Sequence, residues 1–189
     1  MPDLFFNPQK TALIAIDLQN ALMGRTAAPY PVAEVVKKNR LIAEALRSRG
    51  GLVVWVRVDL NNFLSLPVDQ PPQHGNQPLS PALSEIAPSA GLKEGDLVIT
   101  KHHWGAFAST DLEEQLRLHG IDTVVLTGIS TNAGVESTLR QGTGLGFAFI
   151  VVEDACSGQD GEEHRFAFEK IFPRLARVRA ASELIKALA

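Results

Sequence analysis

Residues 121–146, IDTVVLTGISTNAGVESTLRQGTGLG, constrain the fold of this chain more than any other stretch. Residues 121–126 form a short, apolar, β-branched run, the pattern of a strand buried on both faces. Thr127 and Gly128 interrupt it. Ser130, Thr131 and Asn132 are residue types that start helices, and Glu136 follows Asn132 at what reads as capping-box spacing. A buried strand that turns sharply into a polar helix start is where an open α/β sheet places its chemistry. It lies at the carboxyl ends of the strands, beside free backbone N–H groups. No nucleophilic side chain stands in this turn, which centres on Ala133 and Gly134.

The same alternation of apolar run and helical pattern recurs along the chain. Residues 11–16, 52–58, 97–100 and 147–152 read as further strands, with a short one at 175–178. Helices are expected over 31–50, from Ser109 or Thr110 to His119, over 160–172 and over 182–188. In the first of these, Val32, Val35, Val36, Asn39, Leu41, Ala43 and Leu46 are expected on one face. Alternating strands and helices predict a three-layer α/β/α sandwich around a parallel sheet. The 189 residues suffice for one domain, and no repeat or linker divides residues 1–189. Residues 59–95 are Pro-rich and aperiodic, which suggests a lid or an oligomer contact.

Charged residues stand directly after two of the strands, Asp17 after the first and Lys101 after the third. A parallel sheet directs both toward the edge that holds the 128–134 turn. Brought together there, a carboxylate and a lysine can act as a proton-transfer pair. The turn's N–H groups can receive an oxyanion or a carboxylate. Three other readings of the sequence are weak. Gly142, Gly144 and Gly146 spell G-x-G-x-G at the end of a helix rather than its start, so they are no dinucleotide fingerprint. His102 and His103 are neighbours on extended chain and point to opposite faces, a poor pair of metal ligands. Asp59, Asn61 and His74 lack paired-histidine spacing. No metal or cofactor is expected.

A net charge of −3 offers no electrostatic footprint for nucleic acid. No apolar run reaches the roughly 18–20 residues of a membrane span. The opening residues show no signal-peptide pattern, and the single cysteine, Cys156, fits a reducing cytoplasm.

The segments AIDLQN, ITKHHWGAFASTDLEEQLR, VVLTGISTNAGVESTLR and VVEDACSG, as an ordered set, resemble the isochorismatase-like hydrolases, also called the cysteine hydrolase superfamily. The resemblance spans about residues 11–188. It implies a six-stranded parallel sheet with helices on both faces and assembly as a homodimer or homotetramer. It also implies a catalytic aspartate at Asp17, a lysine at Lys101 and a non-proline cis peptide at Ile129–Ser130. Ser130 and Gly134 would line an oxyanion pocket. Gln19, Trp104, Phe107, Ile129 and Thr131 are candidates to line the substrate site. The family's nucleophilic cysteine falls on Gly134, whereas Cys156 belongs to the EDACS segment. In this the chain resembles a branch of bacterial hydrolases with glycine at that position.

Without a thiolate no acyl-enzyme forms. The resemblance then implies acid-catalysed hydrolysis of a small molecule, a vinyl ether of the isochorismate type, with Asp17 as acid and Lys101 as its partner. Lys101 would also bind a substrate carboxylate. A ligand-binding homologue without activity and an amidase-type hydrolase lacking its cysteine are the alternatives.

Overall fold

The computed structural model describes residues 4–71 and 77–189, so His74 lies outside the described residues. Six parallel strands form one sheet in the order β3-β2-β1-β4-β5-β6. They are β1 (Thr11–Ile16), β2 (Leu52–Val58), β3 (Leu97–Lys101), β4 (Thr123–Ile129), β5 (Ala148–Ser157) and β6 (Arg177–Arg179). Helices α1 (Val32–Ser48) and α5 (Ala181–Leu188) cover one face. The other face carries α2 (Leu112–Leu118), α3 (Glu136–Gly144), α4 (Gly161–Phe166) and the π-helical turn Ala167–Ile171 that continues α4. This is the three-layer sandwich that the alternation predicts.

β1 shows how the two cores arise. All six of its residues are buried. Side chains alternate across a strand. Ala12, Ile14 and Ile16 therefore join the core under α2, α3 and the Phe168–Phe172 pair, while Leu13 and Ala15 pack under α1 and α5. α1 meets the sheet through Val35, Val36, Ile42, Ala43 and Leu46. Leu41, expected on that face, is 41% exposed, because the helical period puts its neighbour Ile42 inward. Asn39 is buried there without cost to its amide. Its Nδ2 donates to the carbonyls of Val35 at 2.8 Å and Ala155 at 2.9 Å, and its Oδ1 accepts from Thr127.

Three local expectations are overturned. β4 does not stop at Thr127 but runs to Ile129, with a register shift against β5 between Leu126 and Gly128. Gly128 makes this possible. Its φ is +116°, and a Cβ there would lie 2.2 Å from the carbonyl oxygen of Ile16, so only glycine allows β4 to pass this close to β1. The capping box is not formed. Ser130 precedes the turn, Asn132 donates to Glu163 at 2.8 Å, and Glu136 pairs with Arg140 at 2.9 Å. Glu136 stands four residues beyond Asn132, one more than a reciprocal cap permits. Residues 109–111 do not belong to α2. Ser109 has φ +56°, and helix begins only at Leu112.

The chain enters the sheet at its centre, moves outward through β2 to β3, then returns to β4 on the other side of β1. The carboxyl ends of β1 and β4 are therefore a topological switch point, where connections diverge and leave a crevice.

Candidate active site

Asp17 follows β1 with φ +56°, a conformation that asparagine and aspartate tolerate better than most residues. Its amide donates to the Val56 carbonyl at 2.8 Å, which ties the bend to β2. Lys101 ends β3, whose register sets it opposite Val58 of β2. The two side chains meet across the intervening strand, with Lys101 Nζ 2.8 Å from Asp17 Oδ2. The lysine side chain is 3% exposed and the aspartate 14%. Nζ also donates to the His103 carbonyl at 3.2 Å. Asp17 Oδ1 is buried and has no partner among the described residues. Burial, the largest influence, raises the Asp17 pKa above the ordinary carboxylate value, and the lysine charge and hydrogen bond oppose the rise. The two oxygens are thus unequal. One is engaged by an ammonium, and the other has its hydrogen-bonding capacity unmet among the described residues.

The loop after β4 completes the crevice. The Ile129–Ser130 peptide is cis, and Thr131–Val135 winds as a single π-helical turn before α3. Thr138 Oγ1 donates to the Gly134 carbonyl at 2.7 Å and accepts from Ala106 N–H at 3.0 Å. Gln141 Oε1 accepts from Phe107 N–H at 3.2 Å. In this way α3 holds the segment after Lys101 against the turn. Gly105 lies so close to Gln141 that a Cβ would be 2.2 Å from its Oε1.

Asp17, Lys101, Ile129, Ser130 and Gly134 share the wall of one cavity of about 330 Å³. A Cβ on Gly134 would stand 3.5 Å from Asp17 Oδ2 and 2.9 Å from Ile16 Cγ2. Position 134 therefore faces the acid, but the methyl of a buried isoleucine crowds the place of a side chain. Cys156 is no substitute. It is fully buried on β5, and burial pushes its thiol well above the usual range.

Of the other residues singled out in the sequence, Gln19 and Trp104 line the cavity, and Trp104 is 46% exposed at its mouth. The Gln19 amide is already engaged. Its Nε2 donates to the carbonyls of Val58 and Leu83, and its Oε1 accepts from Val58 N–H at 2.9 Å. Phe107 and Thr131 fall outside the wall. Phe107 stacks on Phe147 in the core. Thr131 is buried on the far side of the turn, its Oγ1 2.8 Å from His164 Nδ1. His164 is itself buried, and that burial pushes its pKa down to about 4. The His103 ring stacks on Phe63, and His102 meets the loop through its carbonyl, which accepts from Leu64 N–H at 2.7 Å. Among the described residues no cluster of three metal-ligating side chains occurs.

The wall also has members that periodicity did not reveal. Leu60, Phe63, Leu79 and Leu83 come from the 59–95 loop, and Leu22 and Arg25 from the segment after β1. The loop is pinched shut where Asn61 exchanges hydrogen bonds with the backbone of Leu79. The Asn20 side chain donates to Ala82 O at 2.9 Å and fastens the two segments together. These residues lie in aperiodic chain, where only tertiary contact assigns a face.

A parallel sheet of this order, with a buried carboxylate–lysine pair at its switch point, defines a three-layer α/β domain with a candidate active-site crevice between β1 and β4. The isochorismatase domain model matches residues 11–183. The chain is 42% identical to the uncharacterized isochorismatase family protein YecD of Escherichia coli O157:H7, covering 98% of this chain and 100% of that protein. It is 32% identical to the ureidoacrylate amidohydrolase RutB of Klebsiella pneumoniae, covering 80% and 75% of the two. An isochorismatase family protein from Burkholderia thailandensis superposes with a TM-score of 0.91 at 40% identity, covering 99% and 98%. The chain belongs to the isochorismatase family and is an isochorismatase-like small-molecule hydrolase. No helix among the described residues is long and apolar enough to cross a membrane.

Proposed function

We propose that this hydrolase cleaves a small vinyl ether of the isochorismate type without a covalent intermediate, in the branch of the family that carries glycine at the cysteine position. The observation that carries this reading is the inequality of the Asp17 oxygens, Oδ2 held by Lys101 and Oδ1 without a partner among the described residues. Burial makes such a carboxyl hold a proton to higher pH than an ordinary one, and in its protonated form it can act as the acid. Protonation of the terminal vinyl carbon by Asp17 produces an oxocarbenium ion. Water adds to the cationic carbon, and the hemiketal collapses to a ketone and an alcohol. The water's proton returns to Asp17, so the acid is regenerated. The N–H groups of Ser130 and Gly134 suit a carboxylate on the reacting fragment. Crowding at position 134 disfavours the amidase route that the likeness to RutB raises. Assembly as a homodimer or homotetramer belongs to the same reading. The exposed Leu64, Leu66 and Val68 of the 59–95 loop support it.

The test is release of pyruvate from isochorismate and from simpler enolpyruvyl ethers. The acid must be protonated to act, so turnover should fall as pH rises through the raised pKa of Asp17. Absence of pyruvate from every ether tried, at any pH at which the protein stays folded, removes the reading.

A further inference from the structure

Among the described residues three ionisable ones line the cavity: Asp17, Lys101 and Arg25. The first two are paired with each other at 2.8 Å. Arg25 is different. Its side chain is exposed, and among the described residues its guanidinium makes no ion pair. The cavity wall therefore carries one positive charge that no wall residue balances when Asp17 is ionised.

Arg25 is also held in place by its backbone. Its N–H donates to Leu22 O at 3.1 Å, and Gly24 turns the chain with φ +81°. The short helix Asn20–Leu22 just before it is fixed to the 59–95 loop through Asn20 N–H to Glu85 O at 2.9 Å and the Asn20 side chain to Ala82 O. Apart from the three ionisable residues, Gln19 and Ser130, the described wall is apolar, with Leu22, Leu60, Leu83 and Trp104 contributing.

We infer that Arg25 is a specificity-determining residue that binds a carboxylate, and that the substrates are amphipathic carboxylates with an apolar body lying on the Leu22, Leu60, Leu83 and Trp104 surface. A planar guanidinium forms paired hydrogen bonds to a carboxylate, which a neutral amide of the same shape cannot match. The inference rests on this cavity being the substrate site, as above, but not on vinyl-ether chemistry. It is therefore scored by binding, without turnover.

The experiment titrates the full-length protein with phenylacetate and 4-phenylbutyrate, and with their primary amides as neutral controls. Tryptophan fluorescence reads binding, since Trp55 is buried in the core and Trp104 stands at the mouth. Wild type is expected to prefer each acid over its amide about tenfold. Arg25→Gln should abolish that preference while amide affinity stays unchanged, and Arg25→Lys should retain part of it. Melting temperatures of both variants should match wild type. An acid preference that survives in Arg25→Gln, or no binding of either acid to wild type, overturns the proposal. Failure of every vinyl ether to react, with the acid preference intact and dependent on Arg25, removes only the catalytic reading.

Discussion

Replacing Asp17 by asparagine separates the catalytic from the structural role of the buried pair. Asparagine is nearly isosteric and accepts the φ of +56° at this position, so the backbone has no reason to move. Its carboxamide can still accept from Lys101 Nζ, which lies 2.8 Å from Oδ2, but it has no acidic proton and no charge. General acid catalysis supplies about 10²–10⁴-fold, or roughly 2.7–5.5 kcal/mol of barrier, and all of that should be lost. Stability should fall as well. The Lys101 side chain is 3% exposed, and its ammonium would face a neutral partner and the His103 carbonyl alone. Breaking a buried pair from one side costs about 3–5 kcal/mol, but Asp17 is itself buried at a cost that raises its pKa, and the removal of that charge together with the surviving hydrogen bond should leave a net loss of about 1 kcal/mol or less. Adding Lys101→Met removes the stranded charge. The double variant should recover most of the lost stability, because apolar replacement of a buried pair is often neutral or favourable. Its activity should remain absent. Urea unfolding at pH 7 and turnover on the identified substrate give both numbers. A double variant no more stable than Asp17→Asn, or an Asp17→Asn enzyme with full turnover, would refute this account of the pair.

Two further outcomes follow from the same geometry. Gly134→Cys should destabilise the protein by about 1–3 kcal/mol, because the new Cβ meets Ile16 Cγ2 at 2.9 Å inside a packed core. It should confer no amidase activity on ureido or nicotinamide substrates, and efficient amide hydrolysis by this variant would show that the site is a disarmed amidase. His164, with a pKa pushed from 6.5 down to about 4, is held neutral by the fold. The unfolded chain takes up its proton first, so the stability this residue contributes is complete above about pH 6.5 and lost as pH falls toward 4. His164→Gln should flatten the decline of the urea midpoint across that interval, and an unchanged acid-side slope would disprove the assignment.

The sequence alone determined much of the architecture. Apolar β-branched runs at 11–16 and 52–58 became β1 and β2 with those bounds, because a strand buried on both faces leaves an uninterrupted signature. Asp17 and Lys101 were legible for a related reason. A charge directly after a buried strand can only lie at the sheet edge, and a parallel sheet turns every such edge the same way. Periodicity fails where backbone conformation or distant contact takes over. The extension of β4 past Thr127 depends on the positive φ of Gly128 and on its closeness to Ile16, neither of which is visible in a hydropathy pattern. Thr131 is a candidate wall residue in the sequence, yet the turn sends it toward His164, thirty-three residues away. Arg25, Leu60, Phe63 and Leu83 stand in aperiodic segments, and only the folding of two loops against each other makes them one wall. The meaning of Gly134 was likewise shared. Its sequence position shows that no thiolate is present, whereas the Ile16 methyl, 2.9 Å from where a Cβ would stand, shows that a side chain there would be crowded. Local residue type sets what a position cannot do, but the volume and charge around it are properties of the packed chain.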